Sequence, residues 1–207
     1  DALLKRLQAE GSATPADLFI TVDAGRLHRA KEAGVLKPVS LPLLEKTIPK
    51  ELRDNAGYWY GLTLRARPII YAKDRVKPAE LSTYEALAGA QWDGRLCLRS
   101  SQSVYNQSLV AATIDALGAK ATQSWIEGMV KNLVKAPSGG DTDQLKAVSA
   151  GVCDVTITNT YYLARLINSS KKADQSVAAK LAVFWPNQSG SGGLGRGAHF
   201  NVSGAGF

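Results

Sequence analysis

Histidine, cysteine and methionine are scarce in this 207-residue chain, with two, two and one respectively. The two histidines, His28 and His199, lie in segments far apart, so no imidazole cluster for zinc or copper is available. The cysteines, Cys97 and Cys153, are too widely separated for a zinc motif. Each sits in or beside an apolar strand-like run, which fits either one disulfide or two buried thiols. No apolar run approaches the roughly 20 residues of a membrane-spanning helix. No secretory leader is recognisable either. The chain opens on DALLKRLQAEG, a helix already under way with Leu3, Leu4 and Leu7 on one face, so an upstream segment is expected.

Charge of one sign is in excess but not concentrated. The net charge is +7, yet Lys5, Arg6, Arg26, Arg29, Lys31, Arg65, Arg67, Lys73 and Arg75 are diluted by apolar neighbours. A nucleic-acid surface gathers its cations on one face, often with stacking aromatics, so no nucleic-acid partner is expected. Enzyme signatures are missing as well: there is no G-x-S-x-G, H-E-x-x-H or G-x-x-x-x-G-K-[ST]. GSGGLG, residues 190 to 195, fits G-x-G-x-x-G literally. No helix or downstream acid follows it, so it reads as a loop between lobes.

What is present is an α/β rhythm in a chain that is 45% hydrophobic, enough for a substantial core. ADLFITVDAG (16–25), YWYGLTLRARPIIYAKD (58–74), GRLCLRSS (94–101), GVCDVTITN (151–159), LAVFWPNQ (181–188) and the Gly-rich tail read as strands. RLHRAKEAG, VYNQSLVAATIDALG, ATQSWIEGMVKNLV and QLKAVSAG read as helices. PAELSTYEALAG (78–89) reads as another, with Ser82 or Thr83 as N-cap. The alternation predicts a mostly parallel sheet covered on both faces, with ligands at the carboxyl ends of strands.

The residues that follow the strands share one composition. After ADLFITV comes Asp23, after RLCLR come Ser100 to Tyr105, and after DVTIT come Asn159, Thr160, Tyr161 and Tyr162. Three phenols and a carboxylate form a hard oxygen set. Phenolate suits a hard, highly charged ion such as ferric iron, whereas calcium or magnesium takes several carboxylates and carbonyls. Tyr also packs its ring and bonds its tip at ordinary surfaces, so composition alone leaves a structural role open.

ITNTYYLARL (157–166) resembles the double-tyrosine signature of periplasmic ferric-ion-binding proteins, and RSSQSVYNQSLVA (99–111) resembles their third-tyrosine motif. ADLFITVDAGRLHRAKEAG and GAHFNVSGAG are similar to an early and a late segment of that family. The resemblance covers essentially the whole chain. It implies a type II periplasmic-binding-protein fold, two α/β lobes joined by hinge strands. Residues 1–70 would be part of lobe 1 with the first hinge strand, 71–183 lobe 2, and 184–207 the second hinge strand. The first lobe is expected to be incomplete, because the family has an extra strand before these residues and helices after them. Tyr105, Tyr161 and Tyr162 would ligate Fe(3+). Arg99, Ser101, Ser103 and Asn159 would hold a carbonate-like anion or support the ligands, and Asp23 would line the cleft. Arg99 is equally well read as an ordinary salt-bridge partner. The implied role is an exported, monomeric, non-enzymatic receptor that serves an ABC-type permease from the periplasm. A receptor for another anionic or organic solute, or an uncharacterised enzyme, stands as the alternative.

Overall fold

A computed structural model of the chain describes residues 2–190 and 193–207. It divides into two compact units. One comprises residues 1–64 and 201–207, the other residues 65–200.

The first unit begins with α1 (Ala2–Glu10), whose Leu4 and Leu7 pack on a small core of Phe19, Ala30 and Leu36. Strand β1 (Phe19–Val22) leads into α2 (Ala24–Glu32), and α3 (Pro42–Thr47) follows. Gly34 ends α2 in the left-handed region (φ 67°), as the sequence predicts. Two long strands complete the sheet: β2 (Trp59–Ala66), and the last strand of the chain, Phe200–Gly206, which lies between β1 and β2. The last strand is antiparallel to β1, with Ile20 opposite Ala205. Its small residues are required by that central position: a Cβ at Gly204 would stand 2.6 Å from the Tyr60 carbonyl oxygen. Both long strands contain a point at which the chain passes from one unit to the other.

The second unit is built on a four-stranded sheet. Its strands are β3 (Ile69–Ala72), β4 (Leu96–Cys97), β5 (Val155–Ile157) and β6 (Leu181–Phe184), in the order β4-β5-β3-β6. Its helices are α4 (Val104–Leu117), α5 (Ala119–Lys131), α6 (Asp141–Ser149), α7 (Thr160–Ile167) and α8 (Lys172–Ala179). The last strand of the chain is accordingly β7. Strand β3 is buried along its whole length, and its residues alternate between two cores. Ile69 and Tyr71 join Leu96, Leu109, Trp125, Met129, Val155 and Ile157 on one face. Ile70 and Ala72 join Leu145, Val148, Leu163, Leu166 and Leu181 on the other. The period-2 alternation of a strand thus divides the hydrophobic residues between two helical layers.

Two expectations need correction. The sheets are not mostly parallel. β4 and β5 pair in parallel, but β3 runs antiparallel to both β5 and β6, and β7 runs antiparallel to β1. A strand buried on both faces reads as continuous apolar sequence in either direction, which is why IIYA misleads. Nor is residues 78–89 one helix. It forms short 3-10 turns at Pro78–Glu80 and Glu85–Ala88. Thr83 does accept from the Ala86 N–H, as an N-cap would. The neighbouring backbone, however, is held by tertiary partners: Tyr84 N–H by Asn187, the Tyr84 carbonyl by Trp125, and the Leu87 and Gly89 carbonyls by Asn132. GSGGLG includes residues 191 and 192, which lie outside the described residues.

The cysteines form a disulfide, Cys97–Cys153, with Cα atoms 5.9 Å apart. It ties the end of β4 to the segment leading into β5, the two strands that run on into the tyrosine-bearing turns. Among the described residues, no helix is long and apolar enough to cross a membrane.

Candidate metal centre

The parallel strands β4 and β5 deliver their following residues to the same end of the sheet. From β4 the chain turns through Arg99–Ser103 into α4, with Tyr105 in its first turn. From β5 it passes Thr158 and Asn159 into α7, with Tyr161 and Tyr162 in its first turn. Helix α6 also begins here, with Asp141 as its first residue. Helix N-termini carry partial positive charge, so this end of the sheet favours anionic oxygen.

Two of the phenols touch. The Tyr161 hydroxyl donates to the Tyr105 hydroxyl at 3.1 Å, and the Asn159 amide donates to Tyr161 at 3.3 Å. The rings of Tyr161 and Tyr162 lie 4.3 Å apart, centroid to centroid, tilted by 36°. Burial, then the adjoining Tyr105 and Tyr162 hydroxyls, push the pKa of Tyr161 well above the usual phenol range; the Asn159 amide opposes them.

Cations surround the phenols. The guanidinium groups of Arg99, Arg65 and Arg67 lie 5.3, 5.6 and 5.8 Å from the Tyr105 ring, and Arg165 lies 5.8 Å from that of Tyr162. Sequence reading did not single out Arg67 or Asp141, and they are the hub of the site. Arg67 donates to Asp141 at 2.9 Å, to Asn159 at 3.0 Å and to Asn106 at 2.7 Å. It therefore fastens the starts of α6, α7 and α4 to one planar group. Asp141 is fully buried, accepts from the Asn159 backbone N–H, and pairs with Arg99 at 3.2 Å. Arg99 is thus a salt-bridge partner of Asp141 whose guanidinium also lies over the Tyr105 ring.

Ser103 heads α4, and its buried hydroxyl lacks a hydrogen-bond partner, as do Nε of Arg67 and of Arg99. Ser101 is exposed in the same turn. Asp23 belongs to the first unit. It caps α2, accepting from Gly25 N–H and from the Asn201 amide, with a left-handed backbone (φ 79°) and almost no exposure. The second unit thus gathers Tyr105, Tyr161, Tyr162, Arg99, Ser103 and Asn159, and within the first unit Asp23 caps α2.

Among the described residues, no group of three or more His, Cys, Asp and Glu side chains could hold a metal. The oxygen donors gathered here are phenolic, with guanidinium groups at hand to offset phenolate charge. Such a set suits a hard trivalent ion and is poor for zinc or calcium.

A family model for the bacterial extracellular solute-binding proteins matches residues 13–192, and the chain belongs to that family, one of binding proteins and not of enzymes. Its fold is that of the type II periplasmic binding proteins. The chain is 48% identical over 206 residues to iron uptake protein A1 of Synechocystis, covering all of this chain and 56% of that protein. A Trichodesmium protein solved in complex with iron and citrate superposes with a TM-score of 0.94 at 50% identity, over 100% of this chain and 64% of that one. The ferric binding protein of Campylobacter jejuni superposes at 0.92 with 40% identity, over 99% and 64%. The chain therefore spans under two thirds of the length of these relatives.

Proposed function

We propose that this chain binds ferric iron through the phenolates of Tyr105, Tyr161 and Tyr162. The observation that carries the reading is the direct contact of Tyr105 and Tyr161, with the guanidinium groups of Arg99, Arg65 and Arg67 close to the Tyr105 ring. A trivalent ion between the phenols would take the place of their protons. The surrounding cations would stabilise the resulting phenolates, and the unpartnered Ser103 hydroxyl, with Arg99 beside it, would hold a carbonate-like anion on the metal. Iron uptake by the Synechocystis relative and the iron and citrate in the Trichodesmium structure support the choice of cargo.

Within a complete receptor, the site would load in the periplasm and pass its iron to an ABC-type permease, the receptor working as a monomer. Release would follow protonation of the phenolates or reduction of the iron, since ferrous iron is less charged and softer.

The test is a titration of the purified chain with ferric citrate, followed by visible absorbance. A saturable band of phenolate-to-iron charge transfer is expected, lost or strongly weakened in Tyr161→Phe and Tyr162→Phe. A band of unchanged intensity in both variants rejects the assignment.

A further inference from the structure

Arg67 is bonded to two amides, Asn106 and Asn159, and each amide serves one member of the touching phenol pair. The main chain of Arg67 is fixed on both sides. Its N–H donates to the His199 carbonyl at 2.9 Å, and the fully buried Tyr84 hydroxyl donates to its carbonyl at 2.7 Å. From that fixed point one terminal nitrogen bonds Asp141 at 2.9 Å and the Asn159 side-chain oxygen at 3.0 Å. The other bonds the Asn106 side-chain oxygen at 2.7 Å and Asp141 at 3.5 Å.

A guanidinium has donors and no acceptor, so each amide must turn its oxygen to Arg67 and its NH2 group away. The NH2 group of Asn159 is thereby directed at the Tyr161 hydroxyl oxygen, 3.3 Å away. That of Asn106 is directed at the carbonyls of Arg99 and Ser100, at 2.9 and 3.2 Å, which shapes the turn leading into α4 and Tyr105. Turned the other way, Asn159 would set a carbonyl oxygen against the Tyr161 oxygen and repel a phenolate there. A lysine in place of Arg67 would keep the charge beside Asp141, but it offers one nitrogen on a flexible stem and no planar fork to hold both amides.

We propose that Arg67 is a positioning residue of the metal centre: its planar fork orients the Asn159 and Asn106 amides, and through them sets the Tyr161–Tyr105 pair in the arrangement that takes up a ferric ion. The purpose of the device rests on phenolate binding of iron, while its geometry is testable without metal.

The iron-free arm reads the side-chain amides of the chain labelled with 15N-asparagine by NMR. The Asn159 signals, identified by their shift in Tyr161→Phe and their loss in Asn159→Ala, should be protected from solvent exchange in the parent and lose that protection in Arg67→Lys. The second arm is the ferric citrate titration. Arg67→Lys should weaken iron binding by about 10- to 100-fold, the scale of a lost outer contact at a metal centre. In an Asn159→Ala background the same substitution should cost much less, because part of its effect is already gone. Arg75→Lys, which disturbs the Asp154 pair of the same unit, should lower the urea midpoint and leave iron affinity unchanged. Where Arg67→Lys does not fold, Arg67→Gln combined with Asp141→Asn removes both buried charges together and takes its place. The proposal is overturned by Asn159 amide signals unchanged in the Arg67 variant, by unchanged iron affinity, or by equal costs with and without Asn159. A parent chain that shows no iron band contradicts the iron reading instead, and the amide signals then decide the positioning alone.

Discussion

The hydroxyl of Tyr161 donates to the hydroxyl of Tyr105 across 3.1 Å, joining the first turns of two helices that are 56 residues apart in sequence. Two phenols in contact share one set of protons and one set of cations. Burial and the neighbouring hydroxyls raise the pKa of Tyr161, so it is fully protonated at neutral pH. A ferric ion must displace that proton. Binding therefore releases protons, and affinity must rise with pH. Competition against citrate between about pH 6 and about pH 8 should show tighter binding at the higher value, by about tenfold per unit for each proton released. An affinity independent of pH would exclude phenolate ligation.

Asp141 and Arg67 form a pair with side chains 0% and 2% exposed. Pairs this deeply buried are expensive to break, because the surviving charge has no solvent. Asp141→Ala should destabilise the chain by about 3–5 kcal/mol, read as a lower urea midpoint. It should also release Asn159, which Asp141 holds through its backbone N–H. Replacing an exposed acid such as Asp93 should cost under about 0.5 kcal/mol by the same assay.

The Cys97–Cys153 disulfide closes a loop with a sequence separation of 56. By the chain-entropy relation, such a closure contributes about 4 kcal/mol. The double variant Cys97→Ser, Cys153→Ser should unfold at a correspondingly lower urea concentration in oxidising buffer. It should match the reduced parent. A variant as stable as the oxidised parent would show that the link adds nothing.

Acid should weaken the second unit through Asp154. Burial disfavours its ionised form, but hydrogen bonds from Arg95 at 2.6 Å and Arg75 at 2.7 Å prevail and hold its pKa below the usual carboxylate range. A depressed folded pKa stabilises the fold at all pH values above the unfolded pKa, near 3.9, and that stability is lost as pH falls through the folded value. Asp154→Asn should lower stability at neutral pH and make the decline below about pH 4 shallower, as measured by urea unfolding across that range.

Much of this arrangement is legible in the sequence. Strand-ending turns that carry Tyr105, Tyr161 and Tyr162 stand out because side chains after parallel strands collect at one end of a sheet. The hub does not stand out. Arg67 lies in an apolar run and Asp141 in a polar loop, and only a pairing 74 residues long gives either a role. Asp23 is a similar case: its place after a strand is legible, but the bond its carboxylate accepts from the Asn201 amide, 178 residues away, is not. Strand direction and the 3-10 turns of residues 78–89 also escape a sequence reading, since both are decided by partners remote in sequence.

The most direct test is diffraction from crystals of the chain soaked in ferric citrate, with anomalous data collected at the iron edge. The account predicts an iron peak within coordination distance of the Tyr161 and Tyr162 hydroxyl oxygens, with the Tyr105 oxygen turned onto the same ion. An ordered iron bound elsewhere, or crystals that take up none while the tyrosines keep their present contacts, would contradict it.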